Sequence, residues 1–127
     1  MKAPKDIQAM LDGFTGTENH YRINKLLFPR VFASDGVAWL CENAECYWLF
    51  DLIASYQKKC QKDEMLRDMQ FWKLTVTGRE AVIVCSRDEG NVAFKQKIPH
   101  TDFPLPEITI WVGRDEKGMV LYLPSEH

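Results

Sequence analysis

The chain has 127 residues, 46% of them hydrophobic and 27% charged, with a formal net charge of −2. These proportions are ordinary for a globular protein and exclude disorder as the main state. The charge balance lacks the basic excess of a dedicated nucleic-acid binder, and the length suits a single domain, 1–127, that needs no metal or disulfide to hold a core.

The polar opening Met1-Lys-Ala-Pro-Lys-Asp6 is unlike a signal peptide, and no apolar run approaches the length of a membrane span. A cytoplasmic protein is therefore expected, with Cys41, Cys46, Cys60 and Cys85 reduced. No pair has Cys-x-x-Cys spacing, which disfavours a zinc ribbon or a thioredoxin-type redox site; small thiols filling core gaps are the simpler reading.

Pro4 to Asp12 reads as a short amphipathic helix, with Pro4 in the first turn, Ile7, Met10 and Leu11 on one face and Gly13 ending it. Gly13 to His20 is loop-like, and Tyr21 to Phe32, interrupted by Pro29, reads as extended. Asp35-Gly36 allows a hairpin turn, but Val37, Leu40, Cys41 and Ala44 fall at helical spacing, and Ser34 or Asp35 can cap a helix there. From Cys46 to Gln61 a longer helix is expected, apolar nearly all round, with Leu49, Ile53, Tyr56 and Cys60 as its inner stripe.

From Gln70 the period changes to two. Trp72, Leu74 and Val76 alternate with Lys73, Thr75 and Thr77, followed by the continuous apolar run Ala81 to Cys85 and by Val92, Phe94 and Ile98. Three prolines make Pro99 to Pro106 an irregular connection, and Glu107 to Val112 and Met119 to Leu123 read as two further strands. The expectation is an α+β fold with two to three N-terminal helices packed on a five-stranded, mainly antiparallel meander sheet. Trp48, Leu49, Leu52 and Ile53 should meet Trp72, Leu74, Val82 and Val84. The last strand should dock through Leu123, leaving Pro124 to His127 dispensable.

No catalytic motif is present. Phosphate-loop, His-Glu-x-x-His and Gly-x-Ser-x-Gly signatures are all missing, so neither a catalytic set, a metal site nor a cofactor is assigned. His100-Thr-Asp102 places an imidazole near a carboxylate, suited to acid–base work, although Asp102 equally suits a turn in a proline-rich loop. His20 and Arg22 follow a glycine loop and could hold an anion. Asp51 and Ser55 lie one helical turn apart. If Trp72 faces the helices, the opposite sheet face carries Lys73, Lys95, Lys97 and Trp111, a set able to stack bases and neutralise phosphates or to contact a protein. A solvated amphipathic sheet is the plain alternative.

Several blocks together resemble a family of small proteins of unknown function from cyanobacteria, Bacteroidetes, phages and plasmids. They are Phe14-Thr-Gly-Thr-Glu-Asn-x-Tyr21-Arg22, Asp35-Gly36-Val37, Tyr47-Trp48-Leu49-x-Asp51-x-Ile53-Ala54-Ser55, Trp72-Lys73-Leu74, Thr101-Asp102-Phe103-Pro104-Leu105 and Leu123-Pro124-Ser125-Glu126. The resemblance spans nearly the whole chain. It implies a self-contained domain and accessory or mobile-element biology, such as modulation of a host component, and transfers no activity.

The resulting expectation is a non-enzymatic binding or protein-interaction domain whose partner is a protein or small ligand. One alternative is nucleotide or single-stranded nucleic-acid binding on the open sheet face. Another is a small enzyme gathering His20, Arg22 or Asp51 with His100 and Asp102.

Overall fold

The computed structural model describes residues 2–127. Three nine-residue helices, α1 (Pro4–Asp12), α2 (Asp35–Asn43) and α3 (Tyr47–Ser55), and a single-turn helix α4 (Gln57–Cys60) lie on one side of a six-stranded sheet. The strands are β1 (Val31–Ala33), β2 (Met69–Thr77), β3 (Glu80–Asp88), β4 (Asn91–Ile98), β5 (Glu107–Asp115) and β6 (Gly118–Tyr122), in the order β1-β6-β5-β2-β3-β4. The α+β class and the N-terminal helices are as expected, but there are six strands and not five, and their order is not a meander. The apolar core lies between the helices and one sheet face. Among the described residues, no helix is long and apolar enough to cross a membrane.

Two connections depart from the meander. The proline-rich segment after β4 cannot make a tight hairpin. It crosses the turn end of the β2–β3 hairpin, held where Thr101 donates to the Arg79 carbonyl and Val76 to that of Pro106, and it buries Phe103 and Leu105. β5 therefore pairs with β2 instead of β4. β1 is a three-residue strand parallel to β6 that the extended reading of 21–32 did not isolate. Within that segment only Tyr21 and 31–33 pair, because Asn24 captures the Leu27 and Phe28 amides in a turn. Gly118 makes the β1–β6 approach possible, because a Cβ there would run into the Arg30 carbonyl.

The expected long helix breaks at Tyr56. Ser55 donates its hydroxyl to the Leu52 carbonyl at 2.6 Å, a competition with the helical ladder that bends helices. Tyr56 then reaches Gln96 through its hydroxyl, and its ring packs on Trp72 and Phe94. On α3, Leu49, Phe50, Ile53 and Ala54 are buried, whereas Trp48 and Leu52 are only half-buried.

The expected contact with Val82 and Val84 is also corrected. Trp72 pairs with Cys85 and Leu74 with Ile83, so Ala81, Ile83 and Cys85 face the helices and the two valines face outward. A continuous apolar run carries no alternation from which to read this parity. A bulge in β4 likewise leaves Val92 exposed while Phe94 packs inward. Behind the sheet, Gln57 and Gln70 exchange amide hydrogen bonds at 3.0 and 2.8 Å, and Gln70 also accepts from the Trp72 indole, so this buried polar group is fully satisfied. All four cysteines are free and buried. Burial pushes the Cys60 and Cys85 thiols up to about 12, and the Cys41 thiol is raised first by its hydrogen bond with Cys46 and then by burial.

The tail is not a solvated end. Residues Pro124–Glu126 form a 3₁₀ turn that buries Glu126. Its Oε1 accepts from the Ser34 hydroxyl at 2.7 Å and the Leu123 amide at 2.9 Å, and its Oε2 from the Gly36 amide at 3.1 Å. Ser34 in turn caps α2 by accepting from Val37. A Cβ on Gly36 would lie 2.6 Å from Glu126 Oε1, so only glycine fits. On the outer side, Asp35 accepts from the Glu18 amide, and Thr17 Oγ1 accepts from the Asp35 amide. The Glu18 amide, first among several donors, holds the Asp35 carboxyl below its usual range.

Three outcomes follow from this packing. Ile53→Ala, at a fully buried position, should cost about 2–5 kcal/mol in urea denaturation; a loss below about 0.5 kcal/mol, typical of a surface site, would place α3 on the wrong face. Glu126→Ala, or removal of 124–127, should cost about 1–3 kcal/mol by stranding the Ser34 hydroxyl and Gly36 amide, and a truncated chain as stable as the full one would disprove the anchoring role. Because the folded Asp35 carboxyl is depressed, its contribution is complete above the unfolded carboxylate range and is lost as pH falls through its folded value. Urea midpoints measured between about pH 3 and 6 should accordingly show a shallower acid slope for Asp35→Asn than for wild type.

Candidate functional site

The helices cover one sheet face and leave the other open. Trp72, Leu74, Ile108 and Ile110 point to the helices, so their strand neighbours Phe71, Lys73, Thr109 and Trp111 point away. In one register row, Tyr122 of β6, Trp111 of β5 and Phe71 of β2 stand side by side. Trp111 meets Phe71 edge-on at 5.4 Å and Tyr122 at 6.3 Å, with interplanar angles of 85° in both cases. The His127 ring closes the group, 5.3 Å from Trp111 and stacked on Tyr122. Tyr122 Oη and His127 Nδ1 are 2.9 Å apart, and partial burial raises the Tyr122 phenol.

Beside this row, Gly113 leaves bare backbone between Trp111 and Asp115. A cleft of about 300 Å³ opens there, walled by Thr17, His20, Val120, Tyr122 and His127. His20 Nδ1 lies 3.4 Å from Asp115 Oδ2, each side chain about one-third exposed. Arg22 follows close by, donating to the Pro29 carbonyl and lying 5.2 Å over the Phe32 ring. His20 and Trp111, proposed separately from the sequence, thus belong to one region.

The lysines lie on the same face beyond the aromatic row. Lys73 Nζ sits 3.3 Å from Glu107, with both side chains more than half exposed, a pair worth about 0–1 kcal/mol and easily exchanged for a ligand. Lys95 and Lys97 stand opposite Val84 and Val82 on the edge strand β4. Edge lysines also discourage strand pairing with other chains, which gives them a structural purpose of their own.

His100 and Asp102 do not join this region. They flank the buried Thr101 beside Arg79, at the Glu107 end of β5, whereas His20 is at its Asp115 end. The nine residues of β5 separate the two ends by roughly 25 Å at about 3.3 Å per residue. Asp51 is elsewhere again, accepting from Asn24 at 3.3 Å. The sequence-level grouping of His20, Arg22 or Asp51 with His100 and Asp102 is therefore not assembled. Among the described residues, no three His, Cys, Asp or Glu side chains are gathered to hold a metal ion.

Two features escaped the sequence reading. Phe71, Tyr122 and His127 complete the aromatic group; the first two are signalled by parity, since each neighbours an inward-facing strand residue. The other is a groove of about 860 Å³ between the 27–31 segment, the α3–α4 junction and the β5–β6 hairpin. Leu27 lines it at 67% exposure, and Leu26 next to it is 90% exposed. Nothing in the 21–32 pattern distinguished these leucines from an ordinary strand.

No curated protein and no solved structure matches this chain. Residues 5–127 match the model of the family of unknown function DUF6876. The chain belongs to this family.

Proposed function

We propose that this chain is a non-enzymatic binding domain of the cytoplasm and that the open sheet face, centred on Trp111, contacts a protein partner. The observation that carries the reading is the half-buried aromatic row Tyr122–Trp111–Phe71 on the sheet face that no helix covers. Large aromatic side chains at the centre of a surface patch supply much of the energy of protein interfaces, provided neighbours exclude water around them. Here the four-ring group pre-organises Trp111, so little side-chain freedom is lost on binding. The adjacent cleft with His20 and Asp115 adds polar groups that fix orientation. The family resemblance fits an accessory role in which the partner is a host component.

A second reading, single-stranded nucleic acid, is favoured by Lys73, Lys95 and Lys97 beside the aromatic row. It has less support because Lys73 is shared with Glu107 and the other two lysines also protect the β4 edge. A His/Asp enzyme has the least, given the separation of His20 from His100.

Quantitative capture from lysate of the native host tests the choice. Wild-type protein should retain a defined partner that Trp111→Ala, checked to be folded, loses by at least about tenfold, as expected for a hot-spot truncation of about 2 kcal/mol. Equal retention by both would refute the reading. Tight binding of a labelled oligothymidine that collapses between about 50 and 200 mM salt would establish the nucleic-acid alternative instead.

A further inference from the structure

The groove away from the open sheet face has a chemistry of its own. Its floor and walls are apolar, formed by Leu27, Phe28, Val31, Ala54 and Met119. Three cations line it from three separate elements: Arg30 from the segment before β1, Lys58 from α4 and Arg114 from β5. Arg30 is steadied by donating to the Lys117 carbonyl, and Arg114 lies 3.6 Å from Asp68 while its side chain stays 53% exposed. Of the two acidic residues lining the groove, Asp115 is engaged by His20 on the opposite sheet face and Glu116 sits at the hairpin turn. The exposed pair Leu26 and Leu27 extends the apolar surface beyond the groove itself. Contiguous apolar surface left in water marks a contact site.

We propose that this groove receives an amphipathic helix of a partner protein, with acidic residues beside its apolar stripe. A concave trough matches the convex ridge of a helix, which inserts apolar side chains at i, i+3, i+4 and i+7; a flat lipid surface would leave the trough unfilled. The leucine lip reaches past the groove, so the occupant is larger than a small metabolite. The cationic lining selects acidic flanks by charge complementarity. This site is distinct from the sheet face around Trp111, although Arg114 and Asp115 border both.

The test uses the full chain, isotope-labelled for NMR, and a designed helical peptide of about 16 residues with a leucine stripe flanked by glutamates. A second peptide carries lysines in place of the glutamates. The acidic peptide should bind saturably, shift the amide signals of 27–31, 54–61 and 114–119, and bind at least about tenfold more tightly than the basic one. Leu27→Asp, a change at an exposed position that should preserve the fold, should abolish this binding. Arg30→Glu combined with Lys58→Glu should invert the preference between peptides. Trp111→Ala should leave it unchanged, which separates this site from the sheet-face reading. Equal binding of both peptides, absence of binding, or shifts confined to the sheet face would overturn the proposal. Co-sedimentation with phosphatidylglycerol vesicles that depends on Leu27, without peptide binding, would overturn it in favour of a membrane-seated loop.

Discussion

The carboxylate of Glu126 ties together segments that are far apart in the chain. It accepts hydrogen bonds from the Ser34 hydroxyl and from two backbone amides, Gly36 at the start of α2 and Leu123 of its own turn. Removing a carboxylate from water is costly unless its lone pairs are filled and nearby positive potential compensates. Both conditions are met: donors converge on both oxygens, and the first turn of α2 contributes the positive end of its dipole. Gly36 is the steric counterpart, since any side chain would displace the carboxylate. Ser34 also donates its own amide to the Leu121 carbonyl, so the same knot sets α2 against β6.

The knot joins stretches that are far apart in the sequence. The Phe14–Asn19 loop, the Asp35-Gly36-Val37 triplet and the Leu123–Glu126 turn meet around the N-terminus of α2. Thr17 and Glu18 grip Asp35 from outside while Glu126 holds Ser34 and Gly36 from inside. Ser34, Asp35, Gly36 and Glu126 thus form an anchoring network around the start of α2. They also shape the open sheet face, because the same loop carries His20 to Asp115 and the same turn carries His127 onto Trp111 and Tyr122.

A sheet covered on one side only is the second organising constraint. The buried Gln57–Gln70 pair and the Trp72 indole lock α4 to β2 on the covered side. Each inward residue on β2 and β5 commits its neighbours to the open face, which is how Phe71 and Trp111 come to share a row with Tyr122. The groove arises differently, between the turn at Asn24–Phe28, which Asn24 ties to Asp51 of α3, and the α3–α4 junction. The molecule consequently offers two surfaces of unlike character, one aromatic with imidazoles, the other aliphatic with a basic lining.

Much of this was legible from the residues alone. Pro4 to Asp12 and Ser34 to Ala44 read as helices because their apolar spacing and caps agree. The outward placement of Trp111, Lys73, Lys95 and Lys97 follows from strict alternation in β2 and β5 and from the lysines of β4. Local signals of this kind depend only on near neighbours in the chain. The parity of Ala81 to Cys85 was not readable, because every residue in the run is apolar or small. Nor was the break at Tyr56, the strand Val31–Ala33, or the passage of Pro99–Pro106 that inserts β5 beside β2. Those features depend on partners tens of residues away, such as Gln96 for Tyr56, Met119 for Val31 and Arg79 for Thr101, with the Ser55–Leu52 bond adding a local contribution at the break. The same is true of Glu126, whose role exists only because folding brings it to Ser34 and Gly36, and of His20, which meets Asp115 rather than His100. Sequence determined which residues could be buried and which backbone they preferred; tertiary structure decided which of them met, because hydrogen-bond partners and register are set across the sheet and not along the chain.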